Sequence, residues 1–296
     1  MSSKISIRFF DDREVRAIWD EKQAKWWFSV LDIVGVLNAQ DDYTKNRNYW
    51  KYLKTKLKRE QNEVVSETNQ LKLTAPDGKR RNTDVLDNLG VLALAACFPN
   101  TKASRFIAWF TNSDETIDGK SKSKAYSLFE SSLIDSIEVG TVKGLQQIHA
   151  YLFGGLYDFA GHIRTVNIAK GGFQFAMAQY LSTTLEDIEQ MPENDFDAIS
   201  DKYVEMNIAH PFREGNGRAT RIWLDMMLKK NIQMCIDWSL IDKKAYLNAM
   251  THSVASPSAI KSLLRSSLTD KISDRETFLK GIDYSYYYEQ EDDIIL

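Results

Sequence analysis

Hydrophobic residues follow two different periods along this chain, and the change from one to the other divides it. Near the start, apolar positions alternate with polar ones at residues 5–9 and 15–19, and an aromatic run follows at 26–28. Alternation of this kind predicts strands, so we expect a β-meander at the beginning. A short helix capped by Ser29, a hairpin turn at residues 75–78 and an Ala/Leu-rich helix at residues 84–96 are expected after it. From residue 125 onward the apolar spacing is mostly that of helices. The pattern predicts a mainly α protein, a helical bundle preceded by a small α+β domain.

A segment rich in Ser, Asp, Gly and Lys separates the two patterns and predicts a linker. We therefore expect a first domain at residues 1–112, a linker at 113–124 and a second domain at 125–296. The first domain has 19 Lys and Arg against 14 Asp and Glu, a net charge of +5, whereas the remainder has a net charge of −8. This difference indicates two modules with different partners.

Residues 210–221 read His-Pro-Phe-Arg-Glu-Gly-Asn-Gly-Arg-Ala-Thr-Arg and join two helical patterns. Gly215 and Gly217 let the backbone approach a ligand closely. The N-terminus of the second helix attracts anions. Arg218 and Arg221 are three residues apart, hence on one helical face, where two guanidiniums suit a polyphosphate.

Two further side chains in this segment add chemistry. Glu214 can hold the Mg²⁺ that a polyphosphate carries, and His210 can take a proton from an attacking hydroxyl. An ordinary interpretation, a loop histidine beside a solvated helix face, explains any two of these residues but not all of them at this spacing. The segment predicts phosphate chemistry with a general base.

The same segment resembles the Fic family motif, H-x-F-x-[D/E]-G-N-G-R-x-x-R, at every defined position. The resemblance implies AMP transfer from ATP to a protein hydroxyl, with ATP and Mg²⁺ bound. It assigns His210 as the base, Phe212 as the anchor of the loop and Glu214 as the metal ligand. It assigns the nucleotide phosphates to Gly215, Asn216, Gly217, Arg218 and Arg221. Death-on-curing relatives carry Lys in this segment, so Arg218 favours the adenylyl branch.

Residues 151–164 resemble the Y-L-F-x-x-L-Y-x-F-A-G-x-x-R stretch of Fic domains, which ends here at Arg164. For His149 and His162 we expect packing or surface roles. A hairpin is predicted next, and its edge could pair with an extended peptide as the target-docking flap of the Fic family does. The predicted flap consists of Lys170, Gly171, Gly172, Phe173, Gln174 and Phe175. An ordinary hairpin packed on its own core is the alternative.

Ser285 and Glu289 fit the pattern [S/T]-x-x-x-E-[G/N] of the inhibitory helix of some Fic proteins, although Gln290 departs from its last position. We expect this helix at about residues 282–291. A carboxylate that reaches Arg221 would pair with the guanidinium that the γ-phosphate needs. Self-modification by AMP is a further hypothesis for Tyr284, Tyr286, Tyr287 and Tyr288.

The first domain resembles the Bro-N domain of phage antirepressor-like proteins and of DNA-damage-inducible protein D. The resemblance is carried by residues 27–33, 50–59, 70–73 and 83–85 and by the Ala/Leu-rich helix that follows. It implies a DNA-binding or regulatory module. Residues 45–59 hold seven basic side chains without an acidic one, and these could follow a DNA backbone. A solvated helix face whose aromatic residues belong to the core is the alternative.

The leading interpretation is an autoinhibited protein adenylyltransferase whose target carries a Ser, Thr or Tyr hydroxyl. Two alternatives remain: a DNA-binding regulator whose Fic domain senses nucleotide, or a Fic enzyme with another phosphate-ester activity such as AMP removal or phosphocholine transfer. We expect a cytoplasmic protein without a membrane partner, because no apolar run could span a bilayer and residues 1–10 lack a secretory signal. A homo-oligomer, in which a neighbouring subunit helps to hold the inhibitory helix, stays open.

Overall fold

A computed structural model describes residues 5–23, 25–75, 78–170 and 173–290. They form two compact units, one reaching to Thr116 and the other spanning Ile117–Gln290. The linker expected at 113–124 is helical from Ile117 on, and that part of the prediction is wrong. The helix forms despite its linker-like composition because its small residues, Gly119 and Ser121 among them, are buried in the second unit.

The first unit is an antiparallel sheet covered by helices. Its elements are β1 Ile5–Phe10, β2 Arg13–Asp20, β3 Lys25–Ser29, α1 Val30–Leu37, α2 Tyr43–Arg59, α3 Glu63–Ser66, β4 Asn69–Thr74, β5 Arg80–Leu86, α4 Asn88–Ala96 and α5 Thr101–Asn112. The strands lie in the order β1-β2-β3-β5-β4. The predicted meander and hairpin are both present, and the hairpin turn at Pro76 and Asp77 lies outside the described residues.

The core of the first unit lies between the sheet and helices α1, α2, α4 and α5. Ser29 ends β3 and caps α1, where its side chain accepts from the Asp32 N–H as the capping signal predicted. The helix expected at residues 84–96 begins only at Asn88. Residues 84–86 belong to β5, and the Asp87 side chain then caps α4.

The second unit is mainly helical. Its elements are α6 Ile117–Glu130, α7 Val142–Phe153, β6 Ala169–Lys170, β7 Phe173–Gln174, α8 Leu181–Glu189, α9 Phe196–Ala209, α10 Asn216–Ile232, β8 Cys235–Ile236, α11 Lys243–His252, α12 Ser258–Ser266, β9 Leu268–Thr269 and α13 Arg275–Tyr287. Short 3-10 turns occur at Leu133–Ser136, Ala178–Tyr180 and Trp238–Leu240. The predicted fold class, a helical bundle with a small hairpin after an α+β domain, is confirmed.

Helix α10 lies at the centre of the second unit. It packs against α7, α9 and α13, and its Trp223, Leu224 and Met227 are fully buried. A helix that is apolar on several sides must be enclosed by its neighbours, and this fixes the position of its N-terminus. No helix in the described ranges is long and apolar enough to cross a membrane.

Candidate active site

The candidate site lies where α9 meets α10. Helix α9 ends at His210, which adopts the left-handed conformation with φ 50°, and Gly215 precedes α10 with φ 82°. A Cβ at Gly215 would lie 2.5 Å from the ring of Phe153, so both the backbone conformation and the packing require glycine. This tight loop joins His210 to the first turn of α10, whose N–H groups have no partner within the helix.

His210 presents the ring nitrogen that a general base needs. Its Nδ1 lies 3.2 Å from the carbonyl oxygen of Asn207. A carbonyl only accepts, so we assign the ring proton to Nδ1, which leaves the lone pair on Nε2. The imidazole stacks on Phe175, with ring centroids 3.8 Å apart. Burial lowers the pKa of His210 to about 4, so the ring is neutral at pH 7.

The side chain of Asn216 braces the motif loop. Its Oδ1 accepts from the N–H of Phe212 and its Nδ2 donates to the Phe212 carbonyl, both at 2.8 Å. The amide was expected to hold phosphates, but both of its polar groups are used within the loop. Nδ2 carries a second N–H, and the backbone N–H lies at the start of α10, so either group can still donate to a phosphate.

His149 packs against the motif loop, which confirms the packing role that the sequence indicated for it. Its ring stacks on Phe212 with centroids 3.8 Å apart. The Gly161 N–H donates to Nδ1 and the Nε2–H donates to the Glu214 carbonyl, both at 2.9 Å. Burial lowers the pKa of His149 to about 4, so this neutral tautomer persists. The ring therefore fixes the backbone that carries the predicted metal ligand.

Arg164 joins the flap region to the same loop. Its guanidinium donates to the carbonyls of His210 at 2.8 Å, Ala209 at 3.0 Å and Ala176 at 2.5 Å. Its backbone N–H donates to the Pro211 carbonyl at 2.9 Å. The residue is buried, and burial lowers its pKa. Arg164 ended the second stretch of Fic resemblance, and the structure places its guanidinium against the backbone at His210.

The hairpin predicted at the flap residues is present as the antiparallel pair β6 and β7. Lys170 and Gln174 are exposed, whereas Phe173 and Phe175 are half-buried. The two phenylalanine rings meet edge to face, 5.2 Å apart. The remaining predicted flap residues, Gly171 and Gly172, lie outside the described residues. Since Phe175 also stacks on the imidazole, the hairpin and the base are in direct contact.

The guanidinium of Arg221 is occupied by the C-terminal part of the chain. Its Nε donates to Ser285 Oγ and one terminal nitrogen to the Ser285 carbonyl, both at 2.7 Å. The terminal nitrogen that bonds the Ser285 carbonyl also lies 2.5 Å from Glu289 Oε1. The other terminal nitrogen donates to the Tyr246 hydroxyl at 3.3 Å. The side chain is 2% exposed. All three nitrogens of the Arg221 guanidinium are therefore bonded within the protein, and in this structure they are not accessible to a phosphate.

The carboxylate of Glu289 lies over the N-terminus of α10. A methyl group on Gly217 would collide with its Oε1. Burial acts to raise the pKa of Glu289, but the guanidiniums of Arg221 and Arg218 outweigh it, and the net pKa is lowered. The group is therefore charged, at the place where the helix N-terminus attracts an anion.

The helix that leads to this glutamate differs from its predicted bounds of about 282–291. Asp274 caps α13, which begins seven residues earlier than expected, because the Asp274 side chain accepts from the Thr277 N–H at 2.8 Å. The helix ends at Tyr287, so Glu289 lies just beyond it and Ser285 within it. Glu291 lies outside the described residues.

Two of the four tyrosines considered for self-modification are buried. Tyr286 is buried, and burial raises its pKa. Tyr288 is buried as well, and its hydroxyl donates to the carbonyls of Trp238 at 2.7 Å and Ile241 at 2.9 Å. Their hydroxyls cannot reach a nucleotide while α13 keeps this position.

Arg218 lies between two carboxylates. One terminal nitrogen is 2.7 Å from Glu214 Oε1, and the other is paired with Asp118 on α6. The guanidinium is 3% exposed, whereas the side chains of Glu214 and Asp118 are 53% and 48% exposed. No sequence pattern pointed to Asp118, because 100 residues separate the two partners.

A magnesium ion would have one protein carboxylate at this site. Among the described residues no three His, Cys, Asp or Glu side chains cluster as ligands for a metal. Glu214 directly precedes Gly215 and α10 and its side chain is 53% exposed, and Mg²⁺ typically takes one or two carboxylates together with substrate phosphates. The residues present fit an ion that arrives with a nucleotide.

Comparison with known proteins gives two family matches. Residues 140–228 match the Fic/DOC family, and residues 14–116 match the N-terminal domain of the BRO family. The protein adenylyltransferase VbhT of Bartonella schoenbuchensis is 32% identical over 140 residues, which cover 43% of this chain and 29% of VbhT. A probable protein adenylyltransferase Fic of Escherichia coli is 30% identical over 129 residues, 38% of this chain and 64% of that protein. This chain thus spans less than two thirds of either relative.

Two of the solved structures that match this chain are of Bartonella proteins. BepC of Bartonella tribocorum, solved with bound AMPPNP, has a TM-score of 0.45 at 19% identity and covers 52% of this chain and 85% of its own. A Fic domain from Bartonella quintana, solved with bound ADP, has a TM-score of 0.46 at 20% identity, with coverage of 52% and 84%. By its family matches, the chain carries a Fic/DOC domain at residues 140–228, preceded by a BRO family N-terminal domain.

Proposed function

We propose that the second unit is a protein adenylyltransferase, held in an inhibited state, that transfers AMP from Mg-ATP to a Ser, Thr or Tyr hydroxyl of a target protein. The observation that carries the proposal is the neutral His210, whose Nε2 keeps its lone pair, on the loop that leads into the N-terminus of α10. The names of the two curated relatives, both adenylyltransferases, support it.

The transfer needs one base and one electrophile. The target oxygen forms a bond to the α-phosphorus of ATP, and the bond from that phosphorus to the oxygen bridging to the β-phosphate breaks. Pyrophosphate leaves, and the hydroxyl proton passes to Nε2 of His210. A positioned general base of this kind contributes roughly 10²- to 10⁴-fold to the rate.

The start of α10 would hold the triphosphate. The first-turn N–H groups, Arg218 and Arg221 supply positive charge to the phosphates. Glu214 would hold the magnesium ion, which neutralises phosphate charge when bound. ATP is the nucleotide of the cytoplasm, in keeping with the expected cytoplasmic location.

The hairpin of β6 and β7 would present the target. Its edge can pair with an extended segment of the target through main-chain hydrogen bonds. Because Phe175 contacts the imidazole, a segment held along this hairpin brings its hydroxyl close to His210. Any self-modification of the C-terminal tyrosines is restricted by the burial of Tyr286 and Tyr288 to Tyr284 and Tyr287.

Glu289 would inhibit the reaction by competition. It pairs with the guanidinium that the γ-phosphate requires, and it lies over the start of α10. ATP that enters beside it is displaced, and its α-phosphorus is not aligned with the incoming hydroxyl. Misplacement by about 1 Å can cost on the order of a hundredfold in rate.

Labelled ATP tests the transfer itself. We expect that the Glu289→Gly variant, incubated with cell lysate, passes the label of α-³²P-ATP to protein and leaves that of γ-³²P-ATP behind. Transfer of the γ label would identify a kinase instead. Binding of ATP without transfer of either label would favour the nucleotide-sensing regulator. Release of AMP from an AMPylated protein, without forward transfer, would favour the reverse reaction.

The first unit supports DNA binding as a second function. On α2, all the Lys and Arg side chains of residues 45–59 except Lys54 are exposed. Lys54 pairs with Asp84 at 2.8 Å. Tyr49 and Tyr52 are 37% and 68% exposed on the same helix. Exposed basic side chains with aromatic side chains between them are typical of a surface that binds the phosphate backbone of a nucleic acid.

We expect duplex DNA to bind this unit with an affinity that falls steeply with salt. Each DNA phosphate that the protein no longer neutralises should reduce the slope of log K against log salt by about 0.9. The double variant Lys51→Ala and Lys58→Ala should therefore reduce it by about 2, measured by fluorescence anisotropy at several salt concentrations. Lys22→Ala, an exposed lysine outside α2, is the control and should leave the slope unchanged. Salt-independent or undetectable binding would rule out this function.

A further inference from the structure

The two arginines of the Fic motif are each held by a carboxylate from a different part of the chain. Arg221 is held by Glu289, which follows α13, and Arg218 by Asp118, in the first turn of α6. Only the first of these pairs follows from the inhibitory pattern. Asp118 lies outside the segment that matches the Fic/DOC family, and it belongs to the segment that the sequence predicted as a linker.

Asp118 covers Arg218 from the side of the solvent. The guanidinium is almost fully buried, whereas about half of the Asp118 side chain is accessible. A phosphate that binds this terminal nitrogen of Arg218 therefore has to displace the Asp118 carboxylate. Both are oxyanions that bind a guanidinium through the same N–H groups, so they exclude each other.

Arg218 does not need Asp118 to keep its position. Glu214 holds its other terminal nitrogen at 2.7 Å, four residues away on the same helix. Its guanidinium carbon lies 5.0 Å from the ring centre of Phe153 and 5.5 Å from that of Tyr286. These contacts fix the side chain, so removal of Asp118 uncovers a cation that is already in place.

Helix α6, which carries Asp118, and helix α13, which leads to Glu289, are joined to each other. Asp283 of α13 is fully buried, accepts from the Tyr126 hydroxyl and lies 3.4 Å from Lys122 Nζ, both on α6. Arg275 of α13 lies 2.7 Å from Glu130 of α6. The two helices therefore hold both arginines from one connected structure.

We propose that Asp118 is a second inhibitory carboxylate, which competes with a phosphate of ATP for Arg218 as Glu289 competes for Arg221. The proposal rests on the proposed function, since it requires that Arg218 binds the nucleotide. The N-terminal unit ends at Thr116, two residues before Asp118. Of the residues at the site, Asp118 is therefore the nearest in sequence to the N-terminal unit.

The test measures the affinity of the full chain for AMPPNP with Mg²⁺ by isothermal titration calorimetry. The variants are Asp118→Asn, Glu289→Gly and the double variant, with Asp135→Asn, an exposed acid of the same unit, as the control. Loss of one half-exposed ion pair corresponds to a change in affinity of up to about fivefold. We expect Asp118→Asn to tighten binding by this factor, both alone and in the Glu289→Gly background, and Asp135→Asn to have no effect.

The outcomes separate this inference from the proposed function. If Glu289→Gly binds AMPPNP and the addition of Asp118→Asn leaves the affinity unchanged or weakens it, Asp118 orients Arg218 or has no role, and the inference is wrong. If no variant binds the nucleotide, the proposed function fails, and the inference fails with it. A melting temperature within a degree or two of wild type for Asp118→Asn excludes misfolding as the cause of a weaker affinity.

Discussion

Replacement of His210 by alanine is expected to reduce AMP transfer by about 10²- to 10⁴-fold. The imidazole is the acceptor for the hydroxyl proton, and its Nε2 lone pair is kept free by the bond from Nδ1 to Asn207. The effect is measured in the Glu289→Gly background, where transfer is high enough to quantify. His162→Ala, which changes an exposed histidine of the same unit, is the matched control and should transfer AMP at the parent rate.

The pH dependence of kcat/KM in the same background shows at which pH His210 becomes protonated. Burial lowers the pKa of His210 to about 4, and a base acts in its deprotonated form. The rate should therefore show no loss from this group as the pH falls from 8 to about 5.5, and should decline only as the pH approaches 4. A decline centred near 6.5 would mean that the imidazole is solvated. An undiminished rate in the alanine variant would remove His210 from the mechanism.

Replacement of Glu289 by glycine is expected to raise AMP transfer by about a hundredfold. The variant frees the Arg221 guanidinium and clears the space over Gly217, so the triphosphate can take the position that aligns its α-phosphorus. Glu289→Gln, which keeps the volume but not the charge, should give an intermediate rate. Glu276→Gln changes a glutamate in the first turn of α13 and should leave the rate unchanged.

The same variant should also be less stable without nucleotide. Arg221 stays buried and loses its charged partner, which costs stability even though the bonds to Ser285 and Tyr246 remain. We expect a melting temperature a few degrees below wild type, restored by ATP, because a ligand that binds only the folded state stabilises it. Wild-type transfer rates in the glycine variant would show that Glu289 does not inhibit.

The parts of the fold that the sequence predicted are those set by local pattern. Alternating residues indicated the strands of the first unit, and helical spacing indicated α9 and α10 on either side of the motif loop. Local chemistry also placed Ser29 as a helix cap. In each case the residues that decide the structure are near neighbours in the chain, so their spacing is sufficient.

The parts that the sequence did not predict depend on distant partners. Helix α6 has a linker-like composition, and only its burial in the second unit makes it a helix. Asp118 and His149 act on the motif loop from 100 and 65 residues away, and no periodicity records such a contact. The sequence assigned the Asn216 amide to phosphate, and it did not indicate that the same amide braces the loop through two bonds to Phe212.

A structure of the Glu289→Gly variant with AMPPNP and Mg²⁺ tests the central claim most directly. The account predicts a triphosphate along the N-terminus of α10, with Arg218 and Arg221 on its outer phosphates. It also predicts that Nε2 of His210 faces the side of the α-phosphorus opposite the bridging oxygen. A nucleotide bound elsewhere, or a site that stays empty at saturating AMPPNP with the glutamate removed, would contradict it.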